Sequence, residues 1–215
     1  MPSPTPLPES LSHILARHDL PQLVGSINEF LRDEANARAR FRDELSPSEK
    51  AEFINGEKVM HSRAKAKLIM ATDRLNRLLR FHVDHNLLGK TFSEKALVCL
   101  TRNDYEPDIC FFGPAKARTL DGETMQFPPP DFVVEVLSES TKERDRGVKF
   151  EDYALHETGE YWIVDCDEES VEQFILKDGA QQYSLARKLT EGEIESEVIG
   201  GFRIPVRAIF DAEGI

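Results

Sequence analysis

Asp131-Phe-Val-Val-Glu-Val-Leu137 reads as a strand covered on both faces, because a near-continuous run of β-branched and aromatic residues suits a position with no solvent side. Glu135 sits in its middle. An unpaired carboxylate there would cost several kcal/mol of desolvation, so Glu135 requires a cation, a set of hydrogen bonds or a proton. Side chains alternate along a strand rising about 3.3 Å per residue, which puts Asp131 and Glu135 on one face but about 13 Å apart, too far to share an ion. A second acid must come from another strand. Asp108 follows Pro107 and opens the apolar segment Asp108-Ile-Cys-Phe-Phe112, where its carboxylate can reach a divalent cation also held by Glu135. Asp131, directly after Pro130, is expected to start its strand and cap the preceding loop.

Only Ser138-Glu-Ser140 separates this strand from the next helix, so the first turns of that helix come back over the strand end that bears Glu135. Ser140 and Glu143 have the spacing of a capping box for a helix over 141–158, with His156 in its last turn and Gly159 as its C′ residue. Asp145 and Lys149 lie i, i+4 on one face, with Tyr153 a turn further. A solvated helix ion pair is one reading of that spacing. The other, favoured by the short connection, is a lysine reaching an anionic phosphate or a reacting water next to Glu135. Ser138 can hydrogen-bond a carboxylate there or serve the turn.

The 215 residues suffice for one α/β domain and a modest extension. A charged fraction of 31% against 40% hydrophobic is that of a soluble globular protein, and no apolar run is long enough to span a bilayer, so no membrane role is expected. Met-Pro-Ser-Pro-Thr-Pro-Leu-Pro has neither the basic nor the apolar region of a signal peptide and reads as a disordered lead, which predicts a cytoplasmic protein. Cys99, Cys110 and Cys166 form no Cys-x-x-Cys pair and read as reduced core thiols. A net charge of −12 argues against general nucleic-acid affinity, yet residues 58–90 carry a local +6, leaving −18 elsewhere.

Residues 10–48 are read as a helical extension for docking or dimerisation, with Leu11, Ile14, Leu15, Ile27, Phe30 and Leu31 at helical spacing, and 49–215 as the main domain after the lead at 1–9. Asn55-Gly56 predicts a hairpin within 51–60. A helix over 63–83 places Leu68, Ala71, Leu75, Leu78 and His82 inward and Arg63, Lys67, Arg74 and Arg77 outward, where they could hold a nucleic-acid backbone. Strands are expected near 96–100, 108–112, 131–137, 161–165, 171–176, 182–189, 194–199 and 202–206. The alternation predicts an α/β or α+β fold with a mixed sheet flanked by helices. Tyr161 and Trp162 are read as core, and His82 with His85 as helix-end structure. No Ser-His-Asp order, glycine-rich phosphate loop or zinc spacing is present.

Pro107-Asp108, the 131–141 segment, Arg144-Asp-Arg-Gly-Val-Lys-Phe-Glu-Asp-Tyr-Ala154 and Gly159-Glu-Tyr-Trp-Ile-Val-Asp165 together resemble the Uma-type putative restriction endonucleases of the PD-(D/E)XK nuclease superfamily. Phe53-Ile-Asn-Gly-Glu-Lys-Val-Met60 and Gly200-Gly-Phe-Arg-Ile-Pro205 are similar to flanking elements of that family, extending the resemblance over roughly residues 50–210. It implies a restriction-endonuclease-like mixed sheet, with Asp108, Glu135 and the Val136 carbonyl as Mg²⁺ ligands and Mn²⁺ as a substitute. A strict (D/E)-x-K would place lysine at 137, where this chain has Leu137, and the resemblance then implies that Lys149 is a migrated lysine supplied by the helix. The family carries Pro and His just after the Met60 position, where this chain reads His61-Ser-Arg-Ala-Lys65. Glu57, Asp145 and Ser138 are accessory candidates.

The expected activity is Mg²⁺-dependent hydrolysis of phosphodiester bonds in nucleic acid, DNA foremost, by a homodimer, since cutting both strands of a duplex needs two centres. Two other classes fit the same residues: a catalytically silent nuclease fold that binds nucleic acid or a protein, and a regulatory partner protein using its acidic surface.

Overall fold

The computed structural model describes residues 9–46 and 48–211, with side chains from residue 11 onward; the Pro-rich lead, apart from Glu9, lies outside them. The chain opens with α1 (Glu9–Leu15) and α2 (Leu20–Glu44), then β1 (Ala51–Ile54), β2 (Glu57–Met60), α3 (Ala66–His85), β3 (Lys90–Ser93), β4 (Leu97–Cys99), β5 (Asp104–Tyr105) and β6 (Ile109–Phe112). It continues through α4 (Pro114–Ala117), β7 (Gln126–Phe127), β8 (Phe132–Val136), α5 (Lys142–Arg146), α6 (Val148–Leu155) and β9 (Glu160–Asp165). The last elements are β10 (Ser170–Ile175), β11 (Ser184–Leu189), β12 (Glu193–Glu195), β13 (Arg203–Pro205) and α7 (Arg207–Phe210).

Two mixed sheets and a small hairpin form. The larger runs β11-β10-β9-β8-β6-β3, with β8 and β9 parallel and its other neighbours antiparallel; the smaller runs β2-β1-β5-β4-β7. β8 is buried at every residue, Glu135 included, as its near-continuous apolar run leads one to expect. Alternation splits its side chains between two cores. Phe132, Val134 and Val136 join Leu68, Leu75, Leu79 and Val83 of α3, whereas Val133 packs with Cys110, Phe112, Tyr153 and Tyr161 towards the smaller sheet. Each fully buried leucine of α3 contributes roughly 1.5–3 kcal/mol. The buried stripe of α3 is Leu68, Ala71, Thr72, Leu75, Leu79 and Val83, so Leu78 and His82, expected inward, sit half-buried on its flank. His82 Nε2 lies 3.0 Å from the Gly200 carbonyl, and its ring packs on Phe202.

The hairpin turn has φ of 50° at Asn55 and 90° at Gly56, the paired positive values of a tight two-residue turn. The helix expected over 141–158 is instead two helices, broken at Gly147, where a Cβ would lie 2.8 Å from the Glu143 carbonyl. The predicted Ser140/Glu143 box does not form. Thr141 is the N-cap, and Ser140 Oγ is occupied by Ser138 and Ser62 hydroxyls. At the far end Glu157 (φ 61°), not Gly159, takes the left-handed position after His156, with Thr158 N–H donating to the Tyr153 carbonyl. Gly159 lies beyond it, where a Cβ would meet Val198 at 3.0 Å.

Along α2, Leu20, Val24, Ile27, Leu31, Glu34, Arg38 and Phe41 recur at alternating spacings of four and three, one continuous face. Its C-terminal half docks on the smaller sheet: Arg38 and Arg42 both clamp the buried Asp104 carboxylate of β5, at 2.5 and 2.7 Å, and Phe41 packs on Phe53. Its N-terminal half leaves Val24, Ile27 and Leu31 about 45% exposed. Among the described residues, no helix is long and apolar enough to cross a membrane.

Candidate active site

β6 and β8 run antiparallel with Ile109 opposite Val134, so Asp108, one residue before β6, falls beside Glu135. Both point with Cys110 and Val133 into the space between the two sheets. Asp108 is fixed by the Val136 N–H, which donates to its Oδ2 at 2.8 Å, while its Oδ1 accepts from Lys50 Nζ at 2.8 Å. Glu135, buried to 2% exposure, accepts from Lys149 Nζ at 3.2 Å.

Lys149 is buried as deeply, and three carboxylates surround it: Glu52 Oε1 at 2.8 Å, Glu135 Oε1 at 3.2 Å and Asp145 Oδ1 at 3.2 Å. The break at Gly147 sets this geometry, because α6 starts there and presents Lys149 and Tyr153 inward, with the Lys149 ammonium 5.9 Å from the Tyr105 ring centre. One ammonium cannot neutralise three acids. Burial disfavours its charge, but Glu135, Glu52 and Asp145 outweigh burial and hold its pKa well above the usual lysine value. Burial pushes Glu135 well above the carboxylate range, and the charges of Asp145, Asp108 and Glu52 add to that against the opposing pull of Lys149. Asp145 is raised for the same first reason. Glu52 is the exception: burial is overcome by Lys149 and by His61, 3.2 Å from its Oε2, and its carboxyl is held at about 2.

Glu52 was not among the residues singled out by sequence, although Ala51-Glu-Phe-Ile54 poses the same puzzle of an acid inside an apolar strand as Glu135 does. Its Oε1 also accepts the Glu106 N–H at 3.1 Å, and Glu106 Oε2 accepts the Ala51 N–H at 2.9 Å, so the carboxylate is locked between β1 and the connection from β5 to Asp108. Glu57, the accessory candidate from the same hairpin, is exposed on β2 beside the turn, paired with Ile54 and so two residues along β1 from Glu52. Glu52, opposite Val59 and further from the turn, is the acid of the hairpin that reaches Lys149. Lys50, Lys65 and His61 are further site residues that the spacing did not reveal.

The cluster opens into a cleft of about 610 Å³ lined by Asp108, Glu135, Val136, Ser138 and Lys149 on one side and, on the other, by Arg63 and Lys65 from the segment leading into α3 and Lys67 and Thr72 from its first turns. Ser138 Oγ bonds the Thr141 hydroxyl at 2.9 Å, so it braces the turn on the cleft wall. Of the four basic residues proposed for backbone contact, Arg63 and Lys67 line the cleft. Arg74 does not, because its guanidinium donates to the Phe210 carbonyl at 2.6 Å and ties α3 to α7; Arg77 is exposed outside the cleft. Lys67 is itself paired with Asp167 across the cleft mouth. Asp131 accepts from Gly113 N–H at 2.6 Å and pairs with Lys116, the structural role expected of it.

The Uma2 family, described as "putative restriction endonuclease", matches residues 38–207. The fold is similar to that in the crystal structure of a putative nuclease belonging to DUF820 from Anabaena variabilis, with a TM-score of 0.67 at 14% identity, over 79% of this chain and 94% of that one. No curated protein sequence matches the chain. The matched segment contains every residue of the acidic cluster, and the chain belongs to the Uma2 family of putative restriction endonucleases.

Proposed function

We propose that this chain is a divalent-metal-dependent endonuclease hydrolysing phosphodiester bonds, with DNA as its substrate. The observation that carries this reading is the placement of Asp108 and Glu135 side by side on adjacent strands at the floor of an open cleft, next to a buried lysine. The residues fit a hard cation. Their donors are oxygen, Glu52 Oε2 and Asp145 Oδ1 are buried and meet only the 3.2 Å ion-pair contacts of His61 and Lys149, and the cluster is short of positive charge. Among the described residues no three acidic, histidine or cysteine side chains gather to hold an ion, so the two carboxylates would leave the remaining positions to a backbone oxygen and water. Asp108, Glu135 and the Val136 carbonyl would hold Mg²⁺, or Mn²⁺ in its place, which supplies Lewis-acid polarisation of the scissile phosphate.

Lys149 remains a cation at neutral pH, which suits it to stabilise negative charge developing on the phosphate and unsuits it as a proton acceptor. Arg63, Lys65 and Lys67 at the cleft mouth would hold the phosphate backbone. The same cleft carries Asp73, Glu94, Glu139 and Asp167, so backbone affinity is modest and salt-sensitive. Plasmid incubated with Mg²⁺ or Mn²⁺ tests the reading: cutting by the parent and none by Glu135→Ala supports it. DNA retention without cutting in the parent would favour a silent binding module.

The half-exposed apolar face of the N-terminal half of α2 supports a second element of the reading. Residues 9–37 precede the matched family segment, and the apolar face of Val24, Ile27 and Leu31 runs on from the face that docks at Glu34, Arg38 and Phe41. Two such faces brought together would join two active centres in a homodimer. Cys99, Cys110 and Cys166 are free thiols, in keeping with the cytoplasm as the compartment.

A further inference from the structure

Lys50 was assigned no role by the sequence, yet it occupies the Asp108 oxygen that a divalent ion would need. Asp108 Oδ2 is committed to the Val136 N–H, and Oδ1 takes Lys50 Nζ at 2.8 Å. The same ammonium reaches Glu94 Oε2 at 2.9 Å. Glu94 is built into the rim beside the site: its backbone is left-handed at φ 68°, and its N–H donates to the Asp108 carbonyl at 3.2 Å. Asp108 is largely covered, at 18% side-chain exposure, whereas Glu94 is at 50%. Lys50 therefore stands between an inner carboxylate and an outer one, within reach of both.

We propose that Lys50 is the counter-cation of the metal-free site: it holds Asp108 until a divalent ion arrives, and is then displaced onto Glu94 at the rim. The inference rests on the metal reading of Asp108 and Glu135 and extends it to the order of events. An ammonium on Oδ1 and a divalent ion on the same oxygen repel strongly in a covered site. Release to Glu94 relieves that repulsion without stranding the lysine, because one of its two bonds is kept. The displaced ammonium then lies at the cleft edge, where an incoming phosphate would pass. The pair makes metal loading and the arrival of a phosphate-facing cation a single step.

Calorimetric titration of Mn²⁺ into the full chain, without nucleic acid, tests this in the parent, Lys50→Met, Lys50→Gln, Glu94→Gln and Asp108→Asn, each checked for folding by circular dichroism. Removing the competing cation should tighten Mn²⁺ binding about tenfold in Lys50→Met and Lys50→Gln. Glu94→Gln should weaken it by about threefold, since the lysine then has only Asp108 to hold. Binding that is unchanged or weaker in the folded Lys50 variants, with Asp108→Asn still abolishing it, overturns the role of Lys50 and leaves the metal site standing. No Mn²⁺ binding in the parent or in either Lys50 variant overturns the metal site itself. Should Lys50→Met fail to fold, the Lys50→Gln and Glu94→Gln titrations carry the same decision.

Discussion

Glu52 and Glu135 belong to different sheets and share one ammonium, that of Lys149, at 2.8 and 3.2 Å. The sharing is unequal. Glu52 has His61 and a backbone N–H besides, and its carboxyl stays low; Glu135 has the lysine alone and is driven up by burial. An acid left short of partners at the floor of a cleft is poised to take another cation.

Lys149→Met should be severely destabilising, because it strands three buried carboxylates. Breaking a buried pair from one side costs roughly 3–5 kcal/mol, and three partners place this variant at the upper end. Urea unfolding in chelator measures it, and a loss under about 1 kcal/mol would mean that the cluster is not buried as described.

Glu135→Gln should act in the opposite direction on the metal-free protein. The amide keeps an oxygen for Lys149 while removing one excess buried charge, so Tm measured in chelator should rise. The same variant should lose the upward Tm shift that Mn²⁺ gives the parent.

The pH dependence follows from the directions of the shifts. Glu135 and Asp145 have raised pKa values, so the unfolded chain ionises before the native one, and metal-free stability falls as pH climbs from the ordinary carboxylate range towards their raised values. Glu52 is depressed to about 2, so its contribution is present above the ordinary carboxylate range and is lost only as pH falls towards that value. Thermal melts in chelator should therefore show a declining Tm from mildly acidic to mildly alkaline pH, with a shallower slope in Glu135→Gln.

Asp167→Asn should strengthen DNA retention, because it frees Lys67 at the cleft mouth. Both partners are solvent-exposed, so Tm should stay at the parent's value. Filter binding across a salt series measures it, and a steeper salt slope than the parent is the expected signature.

Ile27→Glu combined with Leu31→Glu should convert a dimer into a monomer in sedimentation velocity without lowering Tm, because both side chains face solvent in the single chain. A parent that is already monomeric at high concentration would remove the dimer from the account.

The strand bearing Glu135, its neighbour bearing Asp108 and the helix lysine were legible because each breaks an expectation: an acid inside an apolar run, an acid at a strand mouth, a lysine where the connection forbids exposure. Glu52 obeyed the same rule but sat in a four-residue strand next to a strong turn signal, and Glu57 at the turn drew the assignment instead. Short strands such as β5 and β7 have no periodicity to read, and they build the second sheet that a single mixed sheet did not anticipate. The break at Gly147 was hidden because a lone glycine in a helical pattern is usually tolerated, and its meaning comes from the close approach of the Glu143 carbonyl. Arg74 was misplaced because helical spacing gives a face but not what later chain, here the end of α7, lies against it.

A crystal soaked in Mn²⁺ and measured at the manganese absorption edge decides whether Asp108 and Glu135 share one ion. One anomalous peak is expected between the carboxylates of Asp108 and Glu135, within coordination distance of the Val136 carbonyl, with Lys50 drawn towards Glu94. A peak elsewhere on the chain, or an empty cleft at saturating Mn²⁺ with Lys50 still on Asp108, would contradict it.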